Sequence, residues 1–128
     1  MANVFDLIGR IFISALFLIS AFNKIFNLDG SMSWMEGFGV PGFLIFPAIA
    51  LEIILPVLVI VGYQARIAAS ILAIFCLMTA FLFHFDFSNQ TQLVSFLKNI
   101  GLAGGFLFIV ANGTKDWAVD REKKYVRL

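Results

Sequence analysis

The sequence is poor in the residues that most redox and metal chemistries need. It has one cysteine, Cys76, and one histidine, His84, and 13% of its 128 residues are charged. A single cysteine excludes an internal disulfide, a Cys-x-x-Cys redox centre and a thiolate metal cluster, and a single histidine excludes a bis-histidine haem. The chain also lacks a glycine-rich phosphate loop, a nucleophile elbow and the helical metalloprotease pattern. We therefore expect no metal site, no covalently bound cofactor and no self-contained catalytic motif.

Apolar residues are abundant instead. Hydrophobic types make up 61% of the chain, its mean hydropathy is +0.96, and its formal net charge is +1. This composition lies far outside the usage of soluble globular proteins. The sequence predicts an integral membrane protein whose main partner is the lipid bilayer. A net charge this close to zero gives no indication of a nucleic-acid partner.

Four apolar runs are each long enough to cross a bilayer, which takes about 20 helical residues. The runs do not alternate between apolar and polar residues as the strands of a membrane barrel would. We predict an all-α, membrane-spanning four-helix bundle that forms one domain over residues 1–128. The predicted spans are Phe5 to Phe26, Gly42 to Val61, Ala65 to Phe83, and Leu93 to Ala111.

The distribution of basic residues predicts the orientation. Short loops rich in lysine and arginine stay on the cytoplasmic side, and the basic residues of the C-terminal tail are Lys115, Arg121, Lys123, Lys124 and Arg127. An even number of spans then places both termini in the cytoplasm of a bacterial cell, with the protein in the inner membrane. The segment 27–40 becomes an outer loop, with Trp34 at the headgroup level. A cleaved signal peptide is the rival interpretation of the first run, but Asp6 in its basic region argues against it.

Few ionisable residues interrupt the spans. A charge in hydrocarbon costs about 3 kcal/mol or more unless it is paired or faces a wet cavity. Glu52 lies near the middle of the second span, whereas Lys24, His84, Lys98 and Asn99 lie toward the predicted outer ends of the other three. All five fall at a similar depth. We therefore predict that they line a shared ligand-binding cavity below the outer surface.

Helical spacing supports this convergence. Arg10, Ser14, Phe17, Ala21 and Lys24 recur at steps of three and four residues, which places them on one face of the first helix. We expect the long side chain of Arg10 to reach the inner headgroups.

Two further patterns concern the second and fourth spans. Pro56 crowds the carbonyl of Glu52, so an acidic side chain and a freed carbonyl occupy the same turn. Gly101 and Gly105 form a small-residue pair that is typical of a contact between helices, within the bundle or in a homo-oligomer.

Each polar residue also has a purely structural interpretation. Glu52 is either a buried partner of Lys24 or Lys98, or a group that binds a ligand or handles protons. Each lysine alone can extend to the outer interface. His84 at a helix end is more often an interfacial residue than a ligand, and Asn99 can hydrogen-bond across helices.

Together these features resemble the DoxX family of small four-helix inner-membrane proteins. The residues that carry the resemblance are, in order, Gly9-Arg10, Lys24, Gly39-Val40-Pro41, Glu52, Gly62, Arg66, Phe83-His84, Phe96-Leu97-Lys98-Asn99 and Gly104-Gly105. The family takes its name from a subunit associated with thiosulfate:quinone oxidoreductase. The resemblance therefore implies a link to membrane redox chemistry, and it implies no catalytic residues for this chain.

Three hypotheses for function follow. The leading one is an accessory component of membrane redox metabolism whose cavity binds a small amphipathic molecule such as a quinone. In this hypothesis Lys24 and Lys98 orient its oxygens, while Glu52 and His84 exchange protons. The second is a structural or chaperone-like subunit that binds another membrane protein or a redox enzyme without a ligand. The third is a carrier of small solutes or ions, although four helices leave little room for alternating access.

Overall fold

The computed structural model describes residues 2–119, and in this part of the chain all regular structure is helical. The helices are α1 (Ala2–Phe26), α2 (Leu28–Glu36), α3 (Ile45–Val61), α4 (Ala65–Phe83) and α5 (Gln90–Asn112), and a 3-10 turn, Gly42–Leu44, leads into α3. The basic tail residues Arg121, Lys123, Lys124 and Arg127 lie outside the described residues. The orientation inferred from them therefore remains a prediction.

Four of these helices are long and apolar enough to cross a membrane. They span Ala2–Phe26, Gly42–Val61, Ala65–Phe83 and Gln90–Asn112. The prediction of an all-helical protein with four such segments is confirmed, and the second and third spans end where the sequence predicts. The first and fourth begin three residues earlier than predicted, because polar residues such as Asn3 and Gln92 continue each helix toward its N-terminus.

Local sequence explains where the helices end and begin. Gly62 ends α3 with φ at +79°, a left-handed conformation that glycine adopts without steric cost, and its amide donates to the carbonyl of Leu58. Asn89 caps α5, since its side-chain oxygen accepts from the amides of Thr91 at 2.9 Å and Gln92 at 3.3 Å.

The four long helices pack in sequence around a small apolar core. Backbones pack closely between α1 and α3, between α3 and α4, and between α4 and α5. The alanine-rich face of α4 allows this close approach, because small side chains let helix backbones come together. The core residues are Phe17, Val59, Ala68, Ala69, Leu72, Ala73, Cys76, Ala103 and Phe106.

The α1 face predicted from spacing is confirmed. Arg10, Ser14, Phe17 and Ala21 are the buried residues of α1, and Lys24 continues the same face at its C-terminal end. Of the two glycines predicted to lie at a helix contact, however, the structure places only one against another helix of the described chain. A Cβ on Gly105 would lie 2.6 Å from Cδ1 of Ile13 on α1, whereas one on Gly101 would have no neighbour within 4 Å.

The prediction that Arg10 reaches the inner headgroups is wrong. Its side chain is 1% exposed, and its Nε donates to Oδ2 of Asp6 at 3.0 Å. Its guanidinium also donates to the carbonyls of three residues, Val59, Ile60 and Trp117. A helix leaves its last carbonyls without intrahelical partners, and Arg10 satisfies two of them at the end of α3.

Arg10 thereby anchors the segment 113–119, which follows α5, to the end of the bundle where α1 begins and α3 ends. Asp6 also accepts from the amide of Lys115 at 3.1 Å, and the amide of Val119 donates to the carbonyl of Val61 at 2.8 Å. We call this end the tail end, and the opposite end, where α2 lies, the α2 end.

The segment expected to be an outer loop contains a helix, α2. Its nine residues include a glycine and two serines, a composition typical of turns, which is why the sequence did not predict it. Met35 is buried, and the indole of Trp34 stacks on Phe83 of α4 with ring centroids 4.7 Å apart. These contacts stabilise α2 against α4.

Candidate functional site

An ion pair between α1 and α3 forms the centre of the site. Nζ of Lys24 lies 3.0 Å from Oε2 and 3.2 Å from Oε1 of Glu52, and it also donates to the hydroxyl of Ser20 at 2.8 Å. The Glu52 side chain is 4% exposed and that of Lys24 25%. Since a charge inside a bilayer needs a partner, this contact explains how Glu52 is tolerated within a span.

Helical geometry aligns the groups of this pair. Ser20 and Lys24 are four residues apart on α1, so they occupy adjacent turns of one face. The Ser20 hydroxyl lies 3.4 Å from Oε1 of Glu52, close enough to donate a long hydrogen bond. Pro56 is buried one turn farther along α3. The sequence left Lys24 and Lys98 as alternative partners of Glu52. In the structure the partner is Lys24.

His84 lies at the C-terminal end of α4, with its ring oriented by α5. Its Nδ1 is 2.7 Å from Oε1 of Gln92. This contact joins the imidazole to the side-chain amide of Gln92, and the tautomer of His84 determines which of the two groups donates. The Trp34 ring lies beside the imidazole, with centroids 6.2 Å apart.

Lys98 and Asn99 come from α5. The Lys98 side chain makes no hydrogen bond or ion pair with any other residue between 2 and 119, and neither does the amide of Asn99. Lys98 therefore differs from Lys24, which is neutralised by Glu52. It is a cation without a counterion among the described residues.

All five predicted site residues line one cavity at the α2 end. The cavity has a volume of about 550 Å³. Its lining from α1 and α2 comprises Leu16, Phe17, Ile19, Ser20, Asn23, Lys24, Ser31, Trp34 and Met35. The remaining lining residues are Val40, Leu44, Ala48, Glu52, Phe75, Met78, Thr79, Leu82, Phe83, His84, Ser95, Lys98 and Asn99. The predicted convergence of Lys24, Glu52, His84, Lys98 and Asn99 is present in the structure.

The sequence interpretation missed three residues of this region. Ser20 contacts both members of the ion pair, Gln92 orients His84, and Trp34 forms part of the cavity wall. The spacing of Ser20 four residues before Lys24 was a usable signal. Trp34 was assigned to the headgroup level because α2 was not predicted.

The lining combines apolar side chains with polar groups. Aromatic and aliphatic side chains form most of the wall, and polar groups enter from all five helices, a composition typical of small-molecule pockets. No group of three or more His, Cys, Asp or Glu residues that would hold a metal occurs within residues 2–119. The polar groups supply hydrogen bonds and one unneutralised positive charge.

The fold and the cavity define a class, which is a small multi-pass helical membrane protein with a largely apolar cavity, carrying some polar side chains, between its helices. The DoxX family model matches residues 5–85, which covers well over half of the chain. The chain belongs to the DoxX family.

Two relatives from Escherichia coli (strain K12) match nearly the whole chain. Inner membrane protein YqjF is 36% identical over 121 residues, covering 94% of this chain and 93% of the relative. Inner membrane protein YphA is 29% identical over 122 residues, covering 90% and 87%. No solved structure matches. The protein is accordingly a DoxX-family integral protein of the bacterial inner membrane, as the sequence predicted.

Proposed function

We propose that this protein binds a small amphipathic molecule of the quinone class in the cavity at the α2 end, as an accessory component of membrane redox metabolism. The observation that supports the proposal most directly is the convergence of Lys24, Glu52, His84, Lys98 and Asn99 on one cavity of about 550 Å³. Sites for small molecules and cofactors have volumes of about 300–1,000 Å³.

The wall suits a flat ring. Trp34 and Phe83 form a stacked pair on one side of the cavity, and Phe17 and Phe75 lie deeper, with ring centroids 6.5 Å apart. Aromatic rings prefer offset-stacked and edge-to-face neighbours. A quinone ring can thus pack against these side chains while its oxygens accept hydrogen bonds from the polar groups.

Donors for ring oxygens are available on two of the helices that line the cavity. Lys98 and Asn99 lie on α5, and Lys24 lies on α1, where its ammonium is directed to Ser20 and to both carboxylate oxygens of Glu52. His84, at the end of α4, adds an imidazole to the same wall. These groups orient the ligand and require no catalytic step.

Trp34 provides a built-in reporter, because the chain has two tryptophans and Trp117 lies at the tail end. Trp117→Phe leaves the Arg10 contact intact, since that bond is to the backbone carbonyl. With this variant in lipid nanodiscs, menadione or decylubiquinone is expected to quench Trp34 fluorescence saturably. In the matched control, Trp34→Phe, quenching of Trp117 is expected to rise linearly with quinone in the lipid.

A second measurement uses the purified protein directly. Organic extraction followed by mass spectrometry is expected to recover quinone in a fixed ratio to protein. The Lys24→Met/Glu52→Gln double variant, which removes both charges of the ion pair from the wall, is expected to recover less. Absence of extracted quinone together with linear quenching in both tryptophan variants would refute the proposed function.

A further inference from the structure

The cavity borders a side of the protein where two helices do not pack backbone to backbone. Close backbone packing within residues 2–119 joins α1 to α3, α3 to α4 and α4 to α5. Helices α1 and α5 meet instead through side chains, with the rings of Phe17 and Phe106 5.6 Å apart. Lys24 and Asn99 lie about two turns, or ~10 Å, from this contact toward the α2 end. Both helices line the cavity there.

The charges in the cavity do not balance. Among its described lining residues, Glu52 is the one acidic residue, and its carboxylate is paired with Lys24. Lys98 lines the same cavity with no counterion between residues 2 and 119. Asp86, at the same end, accepts from the backbone amide and hydroxyl of Ser88 and does not line the cavity. The protein thus contributes one positive charge that remains unneutralised.

The position of Lys98 along α5 bears on the cost of leaving its charge unpaired. It lies eight residues after the first residue of α5, Gln90, which places its Cα ~12 Å along the helix. The Lys98 side chain is exposed in the single chain, and an unpaired ammonium is costly where such an exposed surface meets lipid and not water. A negatively charged group in the cavity would remove that cost, and a charge-assisted hydrogen bond is about twice as strong as a neutral one.

We propose that Lys98 makes the cavity selective for amphipathic molecules that carry a negative charge on oxygen, of the ionised hydroxyquinone type, and that these enter from the bilayer between α1 and α5. The inference rests on the proposed function, since it concerns the same cavity. It adds the charge of the preferred ligand and the residue that determines it.

The test compares two probes of similar size in nanodiscs of phosphatidylcholine, with Trp34 as the reporter in the Trp117→Phe background. The first probe, 2-hydroxy-1,4-naphthoquinone, is ionised at neutral pH because its charge is shared between ring oxygens. The second, 2-methoxy-1,4-naphthoquinone, is neutral. We expect the ionised probe to bind about tenfold more tightly, as one charge-assisted hydrogen bond predicts.

Three lysine variants test whether Lys98 causes the preference for the ionised probe. Lys98→Gln is expected to reduce the preference to about twofold or less, as loss of the charge-assisted bond predicts. Lys98→Arg keeps the charge and is expected to retain the preference, which also covers the case in which Lys98→Gln fails to fold. Lys115→Gln removes the same charge at the tail end and is expected to leave the preference unchanged.

The outcomes separate the two proposals. Equal affinity for the two probes in the parent protein, or a preference that survives Lys98→Gln, would overturn the role of Lys98 while leaving quinone binding intact. Linear quenching of Trp34 by both probes would overturn quinone binding itself, and the charge preference with it.

Discussion

Nζ of Lys24 lies 3.0 Å from Oε2 of Glu52, and this contact joins α1 to α3 across 28 residues of sequence. The pair is partly enclosed by the protein and lines the cavity at the α2 end. It therefore has two roles in our account, since it neutralises a carboxylate within a span and forms part of a polar wall. The predictions below separate structural contributions from binding.

Glu52→Gln should destabilise the protein by about 2–3 kcal/mol, because it leaves the Lys24 ammonium partly buried without a counterion. Unfolding in detergent measures the effect. The double variant Lys24→Met/Glu52→Gln should recover more than half of the loss, since neither charge then remains unpaired. Asp29→Asn, at an exposed acidic residue of α2, is the matched control and should change stability little. Equal losses in the single and double variants would contradict this account of the ion pair.

Arg10→Lys should loosen the segment 113–119. A lysine has three donors on a single nitrogen and cannot reproduce the planar fork with which Arg10 reaches Asp6 and three carbonyls. Hydrogen exchange should become about tenfold faster at the amides of Lys115 and Val119, as expected for the loss of roughly 1.4 kcal/mol.

The matched control for this prediction is Lys98→Arg, at the α2 end, which should leave exchange in the segment 113–119 unchanged. If Arg10→Lys also leaves those amides protected, the segment is held by other contacts and the assigned role of Arg10 is wrong.

Substitution of two glycines by alanine should have opposite effects. Gly62 has φ at +79°, and a Cβ there would collide with Ala118, so Gly62→Ala should destabilise by more than about 1 kcal/mol. Gly101 is helical and has nothing within 4 Å of its Cβ position, so Gly101→Ala should be neutral or stabilising by up to about 1 kcal/mol. Thermal unfolding of the two variants under one condition checks both. A lower melting temperature for Gly101→Ala would mean that a contact absent from the single chain covers this face.

Phe83→Ala should release α2 from the bundle, because it removes the ring on which Trp34 stacks and which Phe38 meets edge-on at 5.3 Å. Faster hydrogen exchange in α2 and weaker quinone quenching of Trp34 are the expected readouts. Phe108→Ala removes an equally large ring that is 73% exposed and should change neither. A stable α2 after Phe83→Ala would show that the Trp34–Phe83 contact is not needed to hold this helix.

The long helices were predictable from sequence because run length and hydrophobicity determine bilayer spans with little tertiary context. The buried face of α1 was predictable for the same reason, since its spacing of three and four residues is a local property. The position of each residue along its predicted span was also enough to predict a shared depth for one group of side chains. These are Lys24, Glu52, His84, Lys98 and Asn99. Depth could not distinguish Lys24 from Lys98 as the partner of Glu52, because that choice depends on which helix lies beside α3.

Two features depended on long-range contacts and were missed. Arg10 has only Asp6 as a local partner, and its other acceptors are carbonyls at the end of α3 and in the segment after α5. Helix α2 has a turn-like composition, and its burial of Met35 and the stacking of Trp34 on Phe83 stabilise it. In both cases tertiary packing outweighed the local preference of the sequence.

The most direct test of the central claim is a structure determined in lipid nanodiscs at saturating 2-hydroxy-1,4-naphthoquinone. Our account predicts ring density in the cavity between α1, α4 and α5, against Trp34, with one oxygen within hydrogen-bonding distance of Nζ of Lys98 and the Lys24–Glu52 pair intact. A cavity filled by lipid acyl chains under these conditions, with Lys98 extended to the headgroups, would contradict it.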